Sequence, residues 1–186
     1  ADDAAGMAIS SALSADLRGM LQARRNGSDA ISMLQTAEGG LGEIAGLLAR
    51  MRELATQASS SGTLGSAERS YLDQEFDALR SEVNRIAATT EFNGQLLVDG
   101  TLSTGVAFQI GFQNSTNDRF TVTFSDSDAT ALSVHSSDIS TASNAMDSIS
   151  AIDLAINVLA SRRADMGAAQ NRLNVSINNL ETMHEN

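Results

Sequence analysis

Apolar residues at Leu34, Ala37, Leu41, Ile44, Leu48, Met51 and Ala55 alternate at spacings of three and four, which draws one stripe along an α-helix. A helix with such a stripe is not stable alone in water and buries the seam against other helices. Two later stretches repeat the period. The first is Leu72, Phe76, Leu79, Val83 and Ile86. The second begins at Ile149 and runs through Ile152, Ile156, Leu159, Arg163, Met166, Gln170, Leu173, Ile177 and Leu180. The simplest arrangement lays the three stretches side by side. Arg163 and Gln170 then occupy seam positions, where polar residues set helix register.

The first helix is predicted from about Ala4 to about Ser59, with Ile9, Leu13, Leu17 and Met20 beginning its stripe. A helix of ~55 residues is ~80 Å long, so the expected domain is a rod. Gly39, Gly40, Gly42 and Gly46 each oppose it by about 1 kcal/mol relative to alanine. Burial of Leu34, Leu41, Ile44, Leu48 and Met51, at about 1.5 to 3 kcal/mol each, outweighs that once partner helices are present. The glycines then serve either a close helix approach or a bend.

The serine- and glycine-rich run from Ser59 to Ser66 is a break, with Ser66 as N-cap and Glu68 in the first turn of a second helix reaching about Ala88. Asn93-Gly94 is a turn signal. Beyond it the period falls to two. Val106, Phe108, Ile110 and Phe112, then Phe120, Val122 and Phe124, predict a β-hairpin, with Leu96 to Val98 as a third strand. Asp126 to Ser143 reads as a polar loop anchored by Leu132, Val134 and Ile139, and the last helix starts near Ala142. The expected fold is mainly α with a small β region: an elongated antiparallel helical bundle or coiled-coil rod with a hairpin-containing end. It is organised as one domain over 1–186, with N-terminal helices in 1–92, a β region and loop in 93–141, and a C-terminal helix in 142–186.

Composition narrows the function. The net charge is -11, so nucleic acid and anionic membrane surfaces are disfavoured partners. No apolar run is long enough to cross a bilayer, so no membrane insertion is expected. There is no cysteine, hence neither a disulfide nor a thiolate metal site. His135 and His184 are far apart in sequence, and no nucleophile-elbow or His-Glu-x-x-His pattern exists, so neither an enzyme nor a cofactor is expected. The glycines at 40, 42 and 46 mimic a phosphate loop but lie inside the helical stripe rather than after a strand. Asp126 and Asp128 lack the glycine and distal glutamate of a calcium loop.

Five blocks, in order, closely resemble bacterial flagellin: Ala1-Asp-Asp-Ala-Ala-Gly, Asn26-Gly-Ser-Asp-Ala-Ile-Ser-Met-Leu-Gln-Thr-Ala-Glu-Gly, Met51-Arg-Glu-Leu-Ala-Thr-Gln, Glu91-Phe-Asn-Gly and Gly167-Ala-Ala-Gln-Asn-Arg-Leu. The resemblance implies the family's core rod domain, with the polymerising terminal segments expected before Ala1 and after Asn186 and no large outer domain in the middle. It implies an extracellular filament subunit, secreted through the flagellar export apparatus, with other flagellin subunits, an export chaperone and cap proteins as partners. It also implies recognition by Toll-like receptor 5 around an Arg-x-Arg-Glu-Leu segment and the facing helix. Carried over, that face is Arg50, Arg52, Glu53, Leu54 and Glu75, with Arg50 and Leu54 expected to project outward together. Ala49 and Thr56 stand where recognised members often carry glutamine and valine. The competing readings are a hook-filament junction protein, which usually lacks the Arg-Glu-Leu-Ala block, and a flagellin-like cell-surface binding module. The latter would need aromatic side chains for sugar stacking, and the chain has one tyrosine, Tyr71, and no tryptophan.

Overall fold

The computed structural model describes residues 2–62 and 64–186, with side chains from Gly6 onward. Ala1, which opens the first of the resembling blocks, and Thr63, in the predicted break, lie outside the described residues. Three helices dominate: α1 (Asp2–Ala58), α2 (Ser66–Thr89) and α3 (Ala142–Glu185). Between α2 and α3 lie four short strands, β1 (Glu91–Phe92), β2 (Gln95–Leu96), β3 (Val106–Gln109) and β4 (Arg119–Val122). The chain divides into two compact units, and both long helices contribute to each.

The first unit comprises Ala1–Gln35, Gly105–Val122 and Met166–Asn186. Here α1 and α3 run antiparallel, because Gly27 packs on Ile177 while Arg24, earlier in α1, pairs with Glu181, later in α3, at 3.1 Å. A Cβ at position 27 would stand 2.9 Å from Ile177 Cγ1, so this approach requires glycine. The hairpin joins β3 to β4 with Val106 opposite Val122 and Phe108 opposite Phe120. Phe120 and Val122 point into the core with Met33, Leu34, Met166, Leu173 and Leu180. Ile177 is half-buried. Asn26 holds the hairpin to α1 by donating from Nδ2 to the Gln109 carbonyl at 3.0 Å. Ile9 and Leu13 are exposed, at 62% and 57%, so the buried stripe does not begin with them as the spacing suggested.

The second unit comprises Thr36–Thr104 and Thr123–Asp165. Its α1 segment is flanked by both α2 and α3, and each neighbour is antiparallel to it. Leu41, Ile44, Leu48 and Met51 are fully buried, as are Phe76 and Val83 from α2 and Ile152 and Leu159 from α3. Leu72, Leu79, Ile86 and Ile156 are half-buried at the edges of this core. Two neighbours rather than one explain why the buried arc of α1 widens here to include Leu54 and Ala58 beside Met51 and Ala55.

Local chemistry departs from expectation at three places. The N-cap of α2 is Gly65 rather than Ser66, and no side chain caps the helix. Instead Arg69 reaches back from the first turn of α2, donating to the carbonyls of Ala58 at 2.9 Å and Ser60 at 2.8 Å, where the end of α1 leaves acceptors unmet. Next, Gln95–Leu96 does not join the β3–β4 sheet. Asn93 and Gly94, with φ of 51° and 76°, form a two-residue turn that folds β2 directly back on β1. Last, Arg163 is exposed and paired with Glu38 at 3.7 Å rather than buried in the seam.

The polar segment after β4 carries little regular structure, yet side chains from the helices fix its backbone. Asn84 accepts from Ala129 N and Asp73 from Ile139 N, both at 2.9 Å. Arg80 donates to the Ser137 carbonyl at 2.5 Å, and Arg162 to the Asp126 carbonyl and to Ser127 Oγ. Leu132, Val134 and Ile139 fill the core beneath.

Candidate interaction face on the first two helices

In the second unit, Arg50 on α1 donates from Nε and Nη2 to one oxygen of Glu75 on α2, at 3.0 and 2.8 Å. Its Nη1 meets Glu53, one turn along α1, at 2.9 Å. One guanidinium thus ties a second helix to its own, with planar forks that lysine could not supply. The Glu75 hydrogen bond, then that of Glu53, push the Arg50 pKa upward. On the other side of α1, Arg52 Nε donates to Asp153 of α3 at 2.6 Å, and this bond raises its pKa too. Arg50, Arg52, Glu53 and Glu75 are all exposed.

Leu54 is not part of that exposed face. It is 1% exposed, which corrects the expectation that it projects outward with Arg50. An i, i+4 spacing places two residues on the same side of a helix, but a leucine at the margin of a widened buried arc turns inward while an arginine at the same margin extends its charge to water. Leu54 supports the ion-paired residues from beneath. Asp153, the partner of Arg52, carries no signal in the sequence that would single it out. It became legible only when α3 was placed against α1.

The arrangement can present fixed charges to a protein partner, and nothing in it is set up for covalent chemistry. Among the described residues no group of three or more His, Asp or Glu side chains is placed to hold a metal ion. Asp126 and Asp128 are occupied with local backbone, accepting from Asp128 N and Ala131 N. No helix among the described residues is long and apolar enough to cross a membrane.

Comparison with known proteins gives this geometry its context. Residues 1–103 match the bacterial flagellin N-terminal helical region and residues 149–186 the bacterial flagellin C-terminal helical region. A flagellin of Halalkalibacterium halodurans is 42% identical over 185 residues, an alignment covering 100% of this chain and 67% of that relative. The crystal structure of Bacillus cereus flagellin superposes with a TM-score of 0.74 at 32% identity, covering 84% of this chain and 88% of that one. A flagellar hook-associated protein from Vibrio parahaemolyticus shares the fold, with a TM-score of 0.75 at 15% identity over 95% of this chain and 92% of that one. With both terminal helical regions matched and the relative's identity running from end to end, the chain belongs to the bacterial flagellin family, whose members are structural subunits of the flagellar filament and not enzymes.

Proposed function

We propose that residues 1–186 act as one core domain of a self-assembling flagellar filament subunit, exported through the flagellar apparatus with its chaperone and cap proteins, and packed through helix faces against other copies. The observation that carries this reading is an apolar ridge left uncovered on α3. Met146, Leu154 and Val158, spaced by eight and four residues, are 56%, 67% and 41% exposed although the helix already buries Ile152, Ala155 and Leu159 on its other side. A helix that is satisfied within its own chain and still presents apolar side chains has a surface for a neighbour. Repetition of such a contact without closure gives a fibre. The 42% identity to a flagellin over the whole chain favours a filament subunit over a hook-filament junction protein, for which the shared fold alone speaks. The test is complementation: joined to the remaining residues of the Halalkalibacterium halodurans flagellin, the chain should restore swimming to a flagellin-deleted bacterium. Secretion without swimming would count against it.

A second reading concerns recognition. The face of Arg50, Arg52, Glu53 and Glu75, with Leu54 beneath, is proposed to contact Toll-like receptor 5. Support comes from the Arg-x-Arg-Glu-Leu segment and from the direct pairing of Arg50 with Glu75, which sets residues of two helices on one exposed patch. Arg50→Ala should lower receptor affinity at least tenfold, and unchanged affinity would remove the reading.

A further inference from the structure

In the first unit, Ile110, Arg119, Phe120, Arg172 and Val175 line a cleft of about 430 Å³ between the hairpin and α3. The Arg172 guanidinium lies 4.7 Å from the centre of the Phe120 ring. Arg119 makes only long contacts to neutral carboxamides, 3.4 Å to Gln109 and 3.5 Å to Asn114. Neither arginine pairs with a carboxylate among the described residues, in a chain that has 23 acidic and 12 basic residues. Val175, at the rim, is 69% exposed. The cleft therefore offers two cations without a carboxylate partner among the described residues, beside an apolar floor.

Both units are acidic on balance, the second far more so. It holds sixteen acidic and seven basic residues, against seven and five in the first. Asp99, Asp126 and Asp128 line one groove of about 300 Å³ with Thr130 at its edge. Their side chains accept only from nearby backbone and hydroxyl groups, and none forms a direct ion pair among the described residues, the nearest cation being Arg162, which donates to the Asp126 carbonyl and feels the Asp126 charge.

We propose that the Arg119–Arg172 patch of one copy lies against the Asp99–Asp126–Asp128 patch of a second copy of this chain. The contact rests on the filament reading above and names one of its surfaces. It joins unlike patches, so it is heterologous and can repeat without closing. Opposed patches of unlike sign steer the encounter and fix its register, and the exposed Val175 at the rim offers apolar surface for a neighbour to cover. Because three carboxylates meet two guanidiniums, the association should weaken sharply with ionic strength.

The absence of cysteine makes the test clean, since any introduced thiol is the sole one in its chain. Val175→Cys and Thr130→Cys chains, mixed under mild oxidation, should give a disulfide-linked heterodimer. Val175→Cys mixed with Gln57→Cys, an exposed site on α1 away from the groove, should give at least tenfold less. The charge-removing pair Asp99→Asn and Asp128→Asn in the Thr130→Cys chain, which keeps the acceptors that hold the loop, should lower the yield about tenfold. Raising salt from about 0.02 M to about 0.5 M should do the same. Equal yield with Gln57→Cys, or a yield indifferent to both charge removal and salt, would overturn the contact. In chimeric filaments, the Val175–Thr130 cross-link supports the contact directly. Filaments that form without it overturn the contact and leave the filament reading standing, whereas absence of both filaments and cross-link overturns both.

Discussion

Gly40 on α1 lies so close to Thr90, the C-cap of α2, that a Cβ at position 40 would stand 2.6 Å from Thr90 Oγ1 and 2.8 Å from its Cγ2. Thr90 cannot swing aside freely, because its hydroxyl donates to the Ile86 carbonyl at 2.7 Å. Gly40→Ala should therefore destabilise the protein by about 1 to 3 kcal/mol through overpacking. Gly39, Gly42 and Gly46 meet nothing within 4 Å, so alanine there should stabilise by up to about 1 kcal/mol each. Urea denaturation of the four single variants gives the comparison, and a stabilising Gly40→Ala would refute the close-approach role.

Leu54 and Arg50 should separate by what they disturb. Leu54→Ala opens a hole in a fully packed wall and should cost about 2 to 5 kcal/mol in chemical denaturation. Arg50→Ala removes an exposed ion pair and should leave the melting temperature nearly unchanged. The loss of receptor affinity proposed for Arg50→Ala would then come without a loss of fold. A marked drop in melting temperature for Arg50→Ala would instead make the pair with Glu75 a structural clamp.

Acid should loosen the segment leading into α3. Asp138 accepts from Asn144 Nδ2 at 2.9 Å and from Ser140 Oγ and N at 2.7 and 3.1 Å, and these bonds, led by Asn144, hold its pKa below the ordinary aspartate value. A depressed folded-state pKa means that the stabilisation is fully present above the unfolded value and is lost as pH falls through the folded one. Wild type and Asp138→Asn should therefore differ in stability at neutral pH, with the variant weaker, and converge as pH falls below about 4. A difference that grows toward acid would contradict the assignment.

The loop before α3 depends on α2 for its shape. Asn84→Ala removes the acceptor of the Ala129 N–H and leaves a buried backbone donor unmet, at a cost of about 1 to 3 kcal/mol. Hydrogen exchange should show lost protection at Ala129 first, and an Ala129 amide as protected as in wild type would exclude the role given to Asn84.

Much of this architecture was legible from spacing. The three-four alternation located all three helices, since a stripe of Leu, Ile and Met with no proline admits no other periodic structure. The period-two run from Val106 to Phe124 located the β3–β4 hairpin for the same reason. What eluded the sequence were features set by a third body. Leu54 turns inward because α2 and α3 both flank α1, and a single stripe cannot register two neighbours. Arg80, Asn84 and Asp73 hold loop carbonyls and amides far away in sequence, and no local pattern marks such partners. Ile9 and Leu13 keep the helical spacing yet remain exposed, because periodicity reports which side of a helix is apolar and not whether anything covers it.

The uncovered ridge of α3 is expected to be a subunit contact, and that is the point on which filament assembly turns. Electron microscopy of filaments from the chain joined to its relative's remaining residues, taken to side-chain detail, should show Met146, Leu154 and Val158 buried against a neighbouring copy. Filaments in which those three side chains face solvent, or a secreted product that forms no filament at all, would contradict it.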